Sequence, residues 1–165
     1  MKKRLAVAFT GPSNSGKTTY IEKIAKILID DYKMRVSIIK NDPKDKAIFD
    51  VEGKDSYKFS QTGADVVVTS PTRTTYFSKR SKNLDEIIDM LNEFDILLVE
   101  GLKTLPLPRI AIFRDKFDEK YLNTFEAIAT DGTVDSSTFP EGIEILDLNN
   151  PQDAIEWLFK NSKKV

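Results

Sequence analysis

Residues 5–19 read Leu5-Ala6-Val7-Ala8-Phe9-Thr10-Gly11-Pro12-Ser13-Asn14-Ser15-Gly16-Lys17-Thr18-Thr19, an apolar run that passes directly into a G-x-x-x-x-G-K-[ST] loop. Each part of this loop has a task at an anion. Gly11 and Gly16 permit backbone conformations closed to other residues, so that successive N–H groups turn inward around phosphate oxygens. Lys17 then reaches the β and γ phosphates, and the Thr18 hydroxyl can ligate Mg²⁺. A helix starting at about Thr18 adds the favourable field of its N-terminus. Gly11, Pro12, Ser13, Asn14, Ser15, Gly16, Lys17, Thr18 and Thr19 are therefore the expected binding residues for a nucleoside triphosphate.

Outward from the loop, residues 18–32 place Ile21, Ile24, Ala25 and Leu28 at i, i+3, i+4 and i+7, the buried stripe of a helix. Further helices are predicted over 54–62, 84–92 and 151–159, the second of these four following a polar loop at 41–53. Strands are predicted at 4–10, 35–40, 65–69, 74–77, 95–100, 110–113, 125–130 and 143–146. That alternation points to an α/β fold around a mostly parallel sheet. A length of 165 residues suits a single domain over 1–165, with no internal repeat or linker visible.

Composition narrows the chemistry. Net charge is −1 and pI about 5.6, so no overall basic field draws the chain to nucleic acid or an anionic membrane. No apolar run approaches the roughly 20 residues that span a bilayer. Met1-Lys2-Lys3-Arg4 is followed too soon by the loop for a cleavable signal, and a cytoplasmic location is expected. Cysteine and histidine are both absent, which excludes disulfides, thiolate zinc sites and Cys or His nucleophiles. A metal here is a hard cation on oxygen ligands.

A phosphate-loop protein needs a second acid at the C-terminal end of a neighbouring parallel strand. Asp95-Ile96-Leu97-Leu98-Val99-Glu100 offers two. At a rise of about 3.3 Å per residue they lie on the order of 16 Å apart, and only Glu100 ends on the edge that carries the loop. Gly101 behind it allows a close backbone approach to a γ phosphate. Asp42, just after the second strand, is a candidate Mg²⁺ ligand through water, although a solvated loop explains it equally well. Gly53-Lys54-Asp55-Ser56 could surround a second anion, but an ordinary helix also begins this way. Arg73 and Arg109 are further possible phosphate ligands, against the usual fate of arginine on a solvated face. Asp131, after the strand at 125–130, is on the correct edge to accept from a nucleobase.

These residues resemble the molybdopterin-guanine dinucleotide biosynthesis protein B (MobB) family of phosphate-loop GTP-binding proteins. The resemblance runs from Gly11 to Asp131. Beyond the loop its marks are Phe49-Asp50-Val51-Glu52-Gly53-Lys54-Asp55-Ser56 with Gly63-Ala64, then Leu98-Val99-Glu100-Gly101-Leu102-Lys103, then Pro108-Arg109-Ile110 leading to Arg114. It implies a P-loop NTPase fold of the GTPase type, a three-layer sandwich. It also implies a cytoplasmic, dimeric GTP-binding accessory protein with weak Mg²⁺-dependent GTPase activity. Such a protein assists a partner guanylyltransferase in the molybdenum cofactor pathway, or delivers molybdopterin or molybdopterin guanine dinucleotide. Gly53, Lys54, Asp55 and Ser56 become site residues on that ground, and Asp42, which matches the family's aspartate, a metal ligand with Thr18 and Glu100. Family members commonly carry histidines after the second strand, where this chain reads Lys40-Asn41-Asp42-Pro43-Lys44, so no histidine role is carried over. An Asn-Lys-x-Asp motif is also missing, and guanine preference rests on the resemblance alone.

Two other classes share the loop. A small-molecule kinase should close an arginine-bearing lid over the phosphates, for which Arg73 and Arg80 are the candidates. A nucleotide-binding adapter would bind without turnover.

Overall fold

The computed structural model describes residues 4–91 and 93–165. Its elements in chain order are β1 (Leu5–Thr10), α1 (Lys17–Asp30), β2 (Val36–Lys40), α2 (Asp55–Gln61), β3 (Val66–Thr69), β4 (Thr74–Phe77) and α3 (Leu84–Leu91). Then follow β5 (Ile96–Glu100), β6 (Arg109–Phe113), β7 (Ala127–Thr130), β8 (Glu144–Asp147), α4 (Pro151–Asn161) and β9 (Lys163–Lys164). Contacts divide the chain, read from sequence as one domain, into two compact units: one runs up to Asn41 and resumes at Glu93, and the other is Asp42–Asn92.

In the first unit the strands lie in the order β2-β5-β1-β6-β7-β8, each pair parallel. The apolar run ahead of the loop is thus a central strand. Ala6, Val7, Ala8 and Phe9 are fully buried, as a strand covered on both faces requires. One face is covered by α1, through Tyr20, Ile21, Ile24 and Leu28, and by α4, through Ile155, Trp157 and Leu158. Ile110 and Ile112 of β6 point into that layer, while the alternate residues Ala111 and Phe113 point to the other. There the rings of Phe113, Phe117, Tyr121 and Phe125 meet edge to face. Single 3₁₀ turns at Glu119–Tyr121 and Ser136–Thr138 support this aromatic layer. Neither turn was predicted, because three residues carry no periodicity. Also unforeseen is β9, which pairs antiparallel with the start of β1.

The second unit holds α2, α3 and the antiparallel hairpin β3–β4, whose register pairs Val66 with Phe77. The predicted strands there form a sheet of their own. The connection between them is too short for the crossover that parallel pairing demands, and Ser70 N–H closes it on the Arg73 carbonyl at 2.9 Å. The helix predicted over 84–92 is α3, its last position, Asn92, lying outside the described residues. Among the described residues no helix is long and apolar enough to cross a membrane.

Candidate functional site

In a parallel sheet every strand ends on the same edge, and the loop after β1 therefore shares its edge with the ends of β2, β5, β6 and β7. Gly11 leaves β1 at φ 137° so close to β6 that a Cβ would run into the Ile112 carbonyl. The first turn of α1 has no acidic residue to oppose an anion. Lys17 Nζ folds over the loop, donating to the carbonyls of Gly11 at 3.0 Å and Pro12 at 2.5 Å. Burial pushes the Lys17 ammonium below its ordinary pKa; the nearby Glu100 carboxylate opposes this, and Lys40 and Lys103 add to it. Ser15 is buried, and its hydroxyl meets no partner among the described residues. A cleft of about 560 Å³ lies over the loop, walled by Ser13, Asn14, Thr19, Lys40, Glu100 and Arg114.

Strand register builds the rest. Lys40 of β2 and Phe9 of β1 flank Glu100 of β5, at the end of three adjacent strands. Thr18 Oγ1 donates to Glu100 Oε2 at 3.4 Å, and Lys40 Nζ lies 3.4 Å from both oxygens of that carboxylate. Thr18 and Glu100 thus present two hard oxygens at close range, the donor chemistry that suits Mg²⁺. Gly101 takes φ 91°, donates its N–H to the Phe9 carbonyl at 3.0 Å, and passes Asn41 so closely that a Cβ would sit 3.1 Å from the asparagine Cβ. At the opposite end of β5, Asp95 accepts from the Arg35 N–H at 2.8 Å and pairs with its guanidinium at 3.3 Å. The geometry brings Glu100 to the loop and ties Asp95 into the fold.

The remaining predicted residues divide. Asp42 lies in the second unit, where its Oδ2 accepts from the N–H groups of Lys46 and Ala47, both at 2.7 Å, closing its own loop. The Ser56 hydroxyl donates to Asp50 Oδ1 at 2.9 Å, and Asp55 pairs with Lys58, so these side chains of the 53–56 turn serve the local fold. Gly53, at φ 87°, and the exposed Lys54 remain on its surface. Asp131 sits on the expected edge, but Thr133 Oγ1 at 2.6 Å and Arg114 Nε at 3.2 Å engage its carboxylate. The Thr133 hydroxyl above all holds Asp131 below its ordinary pKa, and Arg114 adds to this.

Arg109 needs correction. It is not on a solvated face: only 4% exposed, it donates to the carbonyls of Leu102 and Leu105 in the loop that follows Glu100, and to that of Thr124. Arg80, one of the two lid candidates, is paired with Asp65 inside the hairpin unit. Sequence reasoning assigned no role to Lys40 and Arg114, which line the cleft. Both stand at the C-terminal end of a strand that enters the site edge, the same signal that selected Glu100 over Asp95.

The family model for molybdopterin guanine dinucleotide synthesis protein B matches residues 6–131. A molybdopterin-guanine dinucleotide biosynthesis adapter protein from Haemophilus influenzae is 32% identical over 163 residues, covering 92% of this chain and 88% of its own. A probable adapter protein of the same description from Bacillus subtilis is 30% identical over 131 residues, with 74% of this chain and 73% of its own covered. The crystal structure of Bacillus subtilis MobB superimposes with a TM-score of 0.77 at 27% identity, covering 96% of this chain and 98% of that one. The chain belongs to the molybdopterin guanine dinucleotide synthesis protein B family.

Proposed function

We propose that this protein is a GTP-binding accessory protein with weak GTPase activity, which assists the formation or delivery of molybdopterin guanine dinucleotide in molybdenum cofactor biosynthesis. The observation that carries the reading is the meeting of Thr18 and Glu100 beside Lys17 on the phosphate loop. Backbone N–H groups of the loop and the N-terminus of α1 bind the phosphates, and Lys17 exchanges its two carbonyl partners for phosphate oxygens. Thr18, with Glu100 directly or through water, would hold Mg²⁺, which would supply neutralisation of charge on the β and γ phosphates. Glu100 orients a water for in-line attack on the γ phosphorus. The water oxygen bonds to the γ phosphorus as the bond from phosphorus to the bridging oxygen breaks, leaving GDP and inorganic phosphate, and the proton the water loses passes to bulk solvent.

Lys40 pairs with the same carboxylate and so competes for the group that would orient the water. This favours slow turnover and, at its limit, the adapter reading. The relatives are adapter proteins by description, which supports a partner guanylyltransferase as the recipient. Gly53 and Lys54 are the part of the 53–56 turn that a pterin or phosphate ligand would meet. Ile48, Phe49, Val67 and Val68 are exposed apolar side chains of the second unit, available to a second copy in a homodimer. A cytoplasmic location fits this pathway.

Calorimetric titration with GTP, ATP and molybdopterin guanine dinucleotide, with and without Mg²⁺, tests the reading alongside an assay of phosphate release. Saturable, Mg²⁺-dependent binding of GTP in preference to ATP is expected. Absence of binding by any nucleotide would overturn it.

A further inference from the structure

Arg114 stands one residue beyond β6, across β1 from Glu100. Its guanidinium carbon is 3.3 Å from the place of a Cβ on Gly16, with Nε and Nη2 both at 3.5 Å, so the planar group lies flat on the glycine. A Cβ at that position would sit in tight contact with the guanidinium, which would have to give by a few tenths of an ångström. Nε is held by Asp131 Oδ2 at 3.2 Å, and Asp131 is held by the Thr133 N–H at 3.2 Å and hydroxyl at 2.6 Å. The Thr133 hydroxyl also accepts from the Asp115 N–H at 2.9 Å, which ties the ends of β6 and β7 together behind the guanidinium. The Arg114 side chain is nevertheless 43% exposed and lines the cleft. One face covers Gly16, and the exposed remainder of the side chain borders the cleft.

The two sides of the cleft are chemically unlike. Thr18, Lys40 and Glu100, on the β5 side, offer a cation and hard oxygens for the terminal phosphate and Mg²⁺. A triphosphate with its γ end there must run its nucleoside towards the ends of β6 and β7. We infer that Arg114 contacts the nucleoside, its guanidinium stacking on the purine base, with Asp131 and Thr133 as the positioning residues that fix its plane. The inference rests on the nucleotide-binding reading above and deepens it. Asp131 already balances the charge of Arg114, so what the residue offers is a flat, weakly hydrated cationic surface. Lysine has the charge without the plane.

The test is calorimetric titration of the full chain with Mg²⁺ and GTP, GDP or inorganic tripolyphosphate, using wild type, Arg114→Ala, Arg114→Lys and Asp131→Asn. Both Arg114 variants are expected to weaken GTP and GDP by about tenfold while tripolyphosphate stays within about twofold. Asp131→Asn, which loosens the plane, is expected to fall between them and wild type for GTP. Wild-type GTP affinity in Arg114→Lys would overturn the stacking role, and an equal loss for tripolyphosphate would make Arg114 a phosphate ligand instead. Wild-type protein that binds neither GTP nor tripolyphosphate would overturn the nucleotide reading itself, a result distinct from either of these.

Discussion

At the N-terminal end of β5, Asp95 accepts from the Arg35 N–H and pairs with its guanidinium; at the C-terminal end of the same strand, Glu100 faces the Thr18 hydroxyl, Lys40 and the phosphate loop. The two carboxylates are chemically alike, and each has a cationic partner. What separates them is strand direction. A parallel sheet gathers all its C-terminal ends on one edge, together with the N-terminus of the helix that follows β1. A carboxylate on that edge stands where the proposed Mg²⁺ and phosphate would lie. On the other edge it can only hold neighbouring chain in place.

The strongest challenge to this contrast removes the charge that would make one edge the proposed phosphate site. Lys17→Ala is expected to weaken GTP binding by about 10–100-fold, the loss of a charge-assisted contact, measured by calorimetry. Glu100→Gln keeps the shape and removes the charge, and turnover should fall by about 10–100-fold with a smaller change in GTP affinity. Phosphate release under saturating GTP checks it. Asp95→Ala strips the acceptor from the Arg35 N–H and should lower the melting temperature by about 2–4 °C while leaving turnover unchanged. The smallest effect comes from a carboxylate at neither end of β5. Asp65 accepts from Arg80, Tyr76, Ser78 and the Lys79 N–H, and its pKa is held down to about 2. Its contribution is complete above the ordinary carboxylate range and is lost as pH falls through about 2. Protection of the β3–β4 amides, corrected for intrinsic exchange, should therefore decline with acid over that interval, and Asp65→Asn should remove this component.

Much of the first unit was legible because its signals were redundant. β1 reads as a continuous apolar run, the loop as a motif, and α1 as a stripe at helical spacing, each supporting the next. Glu100 followed from strand direction alone. Arg114 and Lys40 obey the same rule; the family resemblance marked Arg114 without giving it a role, and an isolated lysine after a strand has no motif to single it out. Arg109 was opaque for a different reason. Its acceptors, the carbonyls of Leu102, Leu105 and Thr124, belong to main chain whose path no side-chain pattern records. The same holds for Asp42 and Ser56, whose partners are fixed by loop closure. The aromatic layer was hidden because Phe117, Phe125 and Phe139 come from irregular segments and meet only after the sheet has formed.

The most direct test compares phosphate release from Mg²⁺ and GTP by Glu100→Gln and Asp95→Asn, side by side with wild type, at a temperature where all three are folded. Release is expected to fall by about tenfold or more in Glu100→Gln and to stay within about twofold of wild type in Asp95→Asn. Near-wild-type release by Glu100→Gln, or a greater loss in Asp95→Asn, would contradict the assignment of Glu100 as the acid of the site.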